Sequence, residues 1–156
     1  MTETKYRITN NARKVNDTTL YQIQCISEFA DVVQGELGGW IESEENLSHE
    51  GDAWVSGNAW VFGDARVSGN AHVSGDAHVY ENAWVYGNAR VYGDAHVYGD
   101  VWVFGNARVY GNACVYDDAR VSGDAYVYGD AHVYGDMRIC FTHKFTAAHY
   151  AVGEMT

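Results

Sequence analysis

Gly51-Asp52-Ala53-Trp54-Val55-Ser56 opens a six-residue unit that recurs without insertion as far as Gly135-Asp136-Met137-Arg138-Ile139-Cys140. The unit reads Gly-(Asp/Asn)-Ala-X-Val-(Tyr/Ser/Phe) and occurs in about fifteen copies. The repeated segment holds no Thr, Leu, Lys or Pro. Within each unit Ala and Val alternate with X and the aromatic, and a period of two sends them to opposite faces of a strand. The inward residues are small and uniform, so the interior is narrow. Gly followed by Asp or Asn supplies a corner: Gly accepts positive φ, and the Asx side chain bonds to nearby backbone.

Strands of about four residues joined by two-residue corners cannot make a flat sheet, but they can coil. A buried Val contributes ~1.5–3 kcal/mol, against backbone entropy of ~1–2 kcal/mol for each residue ordered. No single coil balances that, so continuous backbone ladders and stacked outer side chains must hold the stack together.

Read as Val-(Tyr/Ser)-Gly-(Asp/Asn)-Ala-X, the unit resembles the hexapeptide repeat of left-handed parallel β-helix proteins. That resemblance implies an all-β, single-stranded left-handed helix of triangular section with three hexads per coil. The leading segments Lys5-Tyr6-Arg7, Ile26-Ser27-Glu28-Phe29-Ala30-Asp31-Val32, Gly35, Gly38-Gly39-Trp40-Ile41 and Asn46-Leu47-Ser48 resemble those of enterobacterial and prophage hexapeptide-repeat proteins, a group labelled acyltransferase or polymer-forming.

Three regions are expected: residues 1–50 as an N-terminal cap with a first irregular coil, residues 51–140 as the repeat, and residues 141–156 as a C-terminal cap. In the first region Thr19 to Ile26 alternates like a strand, Asn10-Asn11 and Asn16-Asp17 read as turns, and the irregular coil lies near Val33 to Leu47. In the last, Phe141, Phe145, Ala148 and Val152 share a helical stripe, so the cap is either a short helix or a terminal strand.

Three hexads per coil place residues eighteen apart in one column, ~4.8 Å from each other. The outer residues then sort into three faces. The first carries Trp54, His72, Arg90, Arg108 and Tyr126, with Tyr92, Tyr110 and Tyr128 beside them. The second carries Trp60, His78, His96, Cys114 and His132, flanked by Phe62, Tyr80, Tyr98, Tyr116 and Tyr134. The third carries Arg66, Trp84, Trp102, Arg120 and Arg138, flanked by Tyr86 and Phe104.

Stacked rings and Arg over Trp could be purely structural. Trp, Tyr and Arg are also the residues of binding hot spots, and an aromatic strip of this extent rarely stays bare. The third face (Arg66, Trp84, Tyr86, Trp102, Phe104, Arg120, Arg138) is the expected site for a foreign protein partner. The second (Phe62, His78, Tyr80, His96, Tyr98, Tyr116, His132, Tyr134) is the expected contact of a homo-oligomer, a dimer or trimer.

The resemblance implies acyl transfer with one His as general base, in a cleft between subunits. Here His72, His78, His96 and His132 all occupy X positions, none stands out, and no loop leaves the repeat to wall a pocket. No catalytic residue and no cofactor is expected. The column His78, His96, Cys114, His132 has zinc-ligand chemistry, but a straight row cannot enclose an ion tetrahedrally, so no metal is expected either. A net charge of -11 argues against direct nucleic-acid binding. The corner residues Asp64, Asp100, Asp118 and Asp136 could instead mimic it, although Asn82 interrupts that row.

The three cysteines form no CxxC, so reduced thiols in the cytoplasm are expected. No membrane span and no signal-type apolar run are expected. The leading expectation is a non-enzymatic protein-binding β-helix. Its resemblance to prophage sequences suggests an inhibitor that occludes a host defence factor. Acyltransferase and self-assembling scaffold are the alternatives.

Overall fold

The computed structural model describes residues 4–140 and the backbone of three further short strands, Lys144–Phe145, His149–Tyr150 and Glu154–Met155. The fold is all-β. A single 3-10 turn at Glu44–Asn46 is the one helical element among the described residues.

From Trp54 onward each hexad gives a two-residue strand formed by X and Val, the first being Trp54–Val55 and the fifteenth Arg138–Ile139. The ladder is shorter than four residues because Gly-Asx-Ala bends away at each corner. Within the repeat, strands pair in parallel at a spacing of eighteen residues, so Arg66, Trp84, Trp102, Arg120 and Arg138 are successive partners in one ladder. Three parallel sheets result, one per face, and they make a β-solenoid. The short strands at Lys144–Phe145, His149–Tyr150 and Glu154–Met155 extend all three ladders. Phe141, Ala148 and Val152 of the expected helical stripe lie outside the described residues.

Three backbone amides of a typical hexad donate to the coil above. In the hexad that opens at Val85, Tyr86 N donates to Val103 O at 2.9 Å, Asn88 N to Gly105 O at 2.8 Å, and Arg90 N to Ala107 O at 3.0 Å. The polar backbone is thereby satisfied along the stack. The Ala and Val of the coils are buried, nearly all at zero exposure, and larger inward residues appear only towards the ends: Ile41 and Leu47 below, Met137 and Ile139 above. The first residue of nearly every corner is Gly with φ near +65°, as at Gly93 (φ 68). Glu81 (φ 61) and Asp117 (φ 63) take the same left-handed conformation without being glycine.

Two antiparallel strands, β1 (Tyr6–Val15) and β2 (Thr18–Cys25), form a hairpin over the lower end. Asn16, at φ 54, makes the turn. Asn10 and Asn11 do not turn. The strand runs through them, and the pairing register shifts between Ile8 and Ala12, because the local Asn preference yields to the continuing ladder. β3 (Leu37–Ile41) pairs antiparallel with β2 and parallel with Trp60–Val61. It therefore joins the hairpin to the second face.

Only a partial coil, β3 and the Leu47 bridge to Val67, lies beneath the first coil, and elsewhere side chains stand in for the missing amides. Lys5 Nζ donates to the carbonyls of Gly51 (3.2 Å) and Ala53 (2.6 Å). Asn46 Nδ2 donates to those of Gly63 (3.1 Å) and Ala65 (2.9 Å). Trp40 N donates to Ala59 O at 2.9 Å.

Candidate functional site

The X and sixth residues of each hexad point outward, so the three faces are read directly from the ladders. On the third face the Trp84 and Trp102 rings stack with centroids 5.9 Å apart and 21° between planes. A cation lies at each end of this pair: the Arg66 guanidinium is 5.8 Å from the Trp84 centroid, and that of Arg120 is 4.3 Å from Trp102. Alongside, Tyr86 and Phe104 stack at 5.0 Å and 4°, and Tyr86 meets Trp102 edge-on at 6.5 Å. Burial pushes the Tyr86 hydroxyl above its ordinary pKa, with Arg120 pulling it back. Trp84 and Trp102 are 40% and 36% exposed. Below Trp84 a hollow of about 330 Å3 is lined by Glu45, Ser48, Arg66, Ser68, Trp84 and Tyr86 among others. Arg138 follows Arg120 in the same ladder.

The second face is a continuous ring stack. Phe62, Tyr80, Tyr98, Tyr116 and Tyr134 follow one another at 5.1, 4.9, 5.2 and 5.2 Å. Burial pushes the Tyr98 hydroxyl up to about 12, helped by the neighbouring Tyr80. In the adjoining column Trp60 stacks on His78 at 4.1 Å, and His78 meets His96 edge-on at 4.8 Å. Burial and then His96 hold the His78 pKa below its usual value. His132 meets Tyr116 edge-on at 6.3 Å. The column also reaches below the repeat. Trp40 pairs with Trp60 in the ladder, and Arg13 of the hairpin lies 4.7 and 5.7 Å from the two indoles. The repeat frame does not place Trp40 and Arg13 on this face, because both precede it.

The first face departs from the expected column at its foot. Trp54 is only 2% exposed: the cap folds over it, with Phe29 edge-on at 5.4 Å and Tyr6 at 6.4 Å. Above it, Tyr92, Tyr110 and Tyr128 stack at 4.8 and 5.1 Å. Ser56 and Ser74 begin that column and are short, so a hollow opens beside His72 and Arg90.

The corner columns are mixed in charge. Asn82 Nδ2 donates to Asp100 Oδ1 at 2.9 Å, and Asn70, Asn88, Asn106 and Asp124 form a rising chain of amide-to-oxygen bonds. Among the described residues no group of three His, Cys, Asp or Glu is placed to hold a metal ion. No helix there is long and apolar enough to cross a membrane.

A β-solenoid of parallel hexapeptide coils is the class these ladders define. The profile of the YdcK β-solenoid repeat matches residues 65–81, 83–99, 107–123 and 119–135, so the coils carry a hexapeptide-type repeat known from related proteins. One such relative is the uncharacterized acetyltransferase YdcK of Escherichia coli (strain K12), 37% identical over 59 residues. The match takes in 33% of this chain and 18% of that protein, so the chain spans less than a fifth of its relative's length.

Proposed function

We propose that this chain is a non-enzymatic protein-binding β-helix that occludes a second protein, a host factor, with its third face. The observation that carries this reading is the Trp84–Trp102 pair, held half in solvent between two guanidiniums. Large aromatic rings and Arg on a pre-ordered surface lose little entropy on docking. The test is co-purification from the producing cells with a tagged chain, wild type against a Trp84→Ala, Trp102→Ala double variant. A defined partner retained at stoichiometric level by the wild type, and lost by a variant with unchanged far-UV spectrum, supports the reading. Equal retention by both removes the third face from it.

The second face is proposed as the contact of a homo-oligomer. Its two columns hold no Asp, Glu, Lys or Arg from Trp60 to Tyr134, so two copies of an acidic chain can meet there away from their carboxylates. Replacing Tyr98 and Tyr116 with Ser should lower the mass measured in solution. An unchanged mass overturns the assignment.

The name of the E. coli relative favours acetyl transfer as a second reading. Against it stands the uninterrupted run of hexads, which extrudes no loop to exclude water from a base. Acetyl-CoA consumption with an amine or alcohol acceptor, abolished by one His substitution, would favour transfer over binding.

A further inference from the structure

On the first face Arg90 and Arg108 are direct partners in the parallel ladder. Like charges on adjacent rungs repel. Among the described residues neither guanidinium has a carboxylate within ion-pairing distance, although the chain is strongly acidic. Arg108 lies 5.6 Å from the Tyr126 ring, which covers one face of the cation but neutralises nothing.

Between the two arginines and the foot of the face lies a hollow of about 290 Å3, lined by Ser56, His72, Ser74, Arg90, Tyr92 and Arg108. Its lining supplies two cations, two aliphatic hydroxyls, one imidazole and one phenol. Burial, and then Arg90, hold His72 below its usual pKa, so near neutral pH it adds a neutral ring N–H and not a third charge. Ser56, His72 and Arg90 also line a second hollow of about 540 Å3 beside it. That second hollow is also lined by Asp31, Glu36 and Asp52, so an anion is favoured at the Ser74 and Arg108 end, where the lining holds no carboxylate.

We propose that this hollow binds an oxyanion, the phosphate of a small molecule, between the Arg90 and Arg108 guanidiniums with Ser56 and Ser74 as hydroxyl donors. Two neighbouring guanidiniums balance a dianion and present planar N–H forks to its oxygens. Serine in place of the Tyr found higher in the column provides both the space and the extra donors. The ligand would relieve the repulsion that the ladder imposes on the arginine pair.

The test follows the arginine Nε–H resonances while the full chain is titrated with sodium phosphate, glycerol phosphate or sodium acetate at matched ionic strength. The expected result is a saturable shift of the Arg90 and Arg108 signals with phosphate, in the millimolar range, and a much weaker one with acetate. Arg108→Gln and Arg90→Gln should each weaken binding about tenfold or more. Both are X positions, which already hold Trp, His, Arg, Cys and Tyr elsewhere in the stack, so the fold should survive and far-UV dichroism checks that it does. Tighter binding of glycerol phosphate assigns an esterified ligand, and equal binding assigns free phosphate. Either keeps the site. Shifts that do not saturate, that acetate reproduces, or that persist in both Gln variants overturn it. A Trp84→Ala, Trp102→Ala chain should bind phosphate normally, so this outcome is independent of the third-face proposal.

Discussion

Lys5 Nζ lies 2.6 Å from the carbonyl oxygen of Ala53, in the place that a backbone amide of a preceding coil would fill. One coil up, the equivalent carbonyl of Ala71 accepts from Trp54 N at 3.0 Å. A side-chain ammonium therefore continues the ladder downward where the chain offers no strand. Lys5→Met should strand the Gly51 and Ala53 carbonyls and cost about 2–3 kcal/mol, since each buried unsatisfied group costs about 1–3 kcal/mol. Urea denaturation measures it.

The same lysine sets a pH dependence. Desolvation lowers its pKa to about 8, against smaller opposing contributions from Asp52 and Cys25. In the unfolded chain it titrates near ~10.4. Between those values the unfolded state holds a proton that the folded state has released, so the Lys5 contribution to stability rises with pH across that window and is smallest below it. The stability gap between wild type and Lys5→Met should widen from pH 7 to pH 9.5. A gap that narrows would contradict the assignment.

Asn46 closes the neighbouring corner and works in both directions. Its Nδ2 donates to Gly63 and Ala65 while its Oδ1 accepts from the amides of Glu42 and Ser43, and the residue is fully buried. Asn46→Asp keeps the acceptor and removes the donor, setting a carboxylate against two carbonyls. A loss of about 3 kcal/mol or more is expected. Asn46→Ser should cost less. Thermal unfolding of both variants tests the ranking.

At the corner between the second and third faces, Gly99 (φ +79) sits between Glu81 and Asp117 in one column. A Cβ there would lie 2.8 Å from the Asp117 carbonyl oxygen. Gly99→Ala combines a left-handed penalty of about 1–2 kcal/mol with overpacking, so a loss of about 2–4 kcal/mol is expected. Glu81→Gly runs the other way: it relieves the same penalty, partly offset by greater unfolded-state entropy, and its melting temperature should rise.

Inside and outside should separate cleanly on the third face. Val85→Ala opens space in the filled interior and should cost about 2–3 kcal/mol. Trp84→Ala loses a stacked ring and one exposed cation contact, about 1–2 kcal/mol. Equal losses would mean that Trp84 holds the fold together and is not free to serve recognition.

The column Arg66, Trp84, Trp102, Arg120 could be read before any coordinates, because a fixed period turns sequence distance into height. The inward Ala and Val were equally legible. Glu81 and Asp117 were visible as breaks in the Gly column but carried no signal in a consensus. Lys5 and Asn46 were hidden for a different reason: each acts once, and a cap that mimics an amide with a side chain leaves no pattern. The burial of Trp54 followed from Phe29 and Tyr6 folding over it, a tertiary event outside the repeat. The Arg90–Arg108 neighbours could be read from the period, but the hollow beside them depends on where two serines interrupt a tyrosine column.

Eighteen residues carry the chain once around, so length and orientation are separately adjustable. Excising one full circuit, such as residues 87–104, should leave a shorter rod whose sides still line up above and below the cut. Excising six residues instead should rotate everything beyond the cut by a third of a turn. The rings of one side would then continue into the arginines of another, with the interior scarcely altered. Lineages of such rods can therefore grow or shrink by whole circuits at little cost to folding, while a change of one hexad redraws the exterior in a single step.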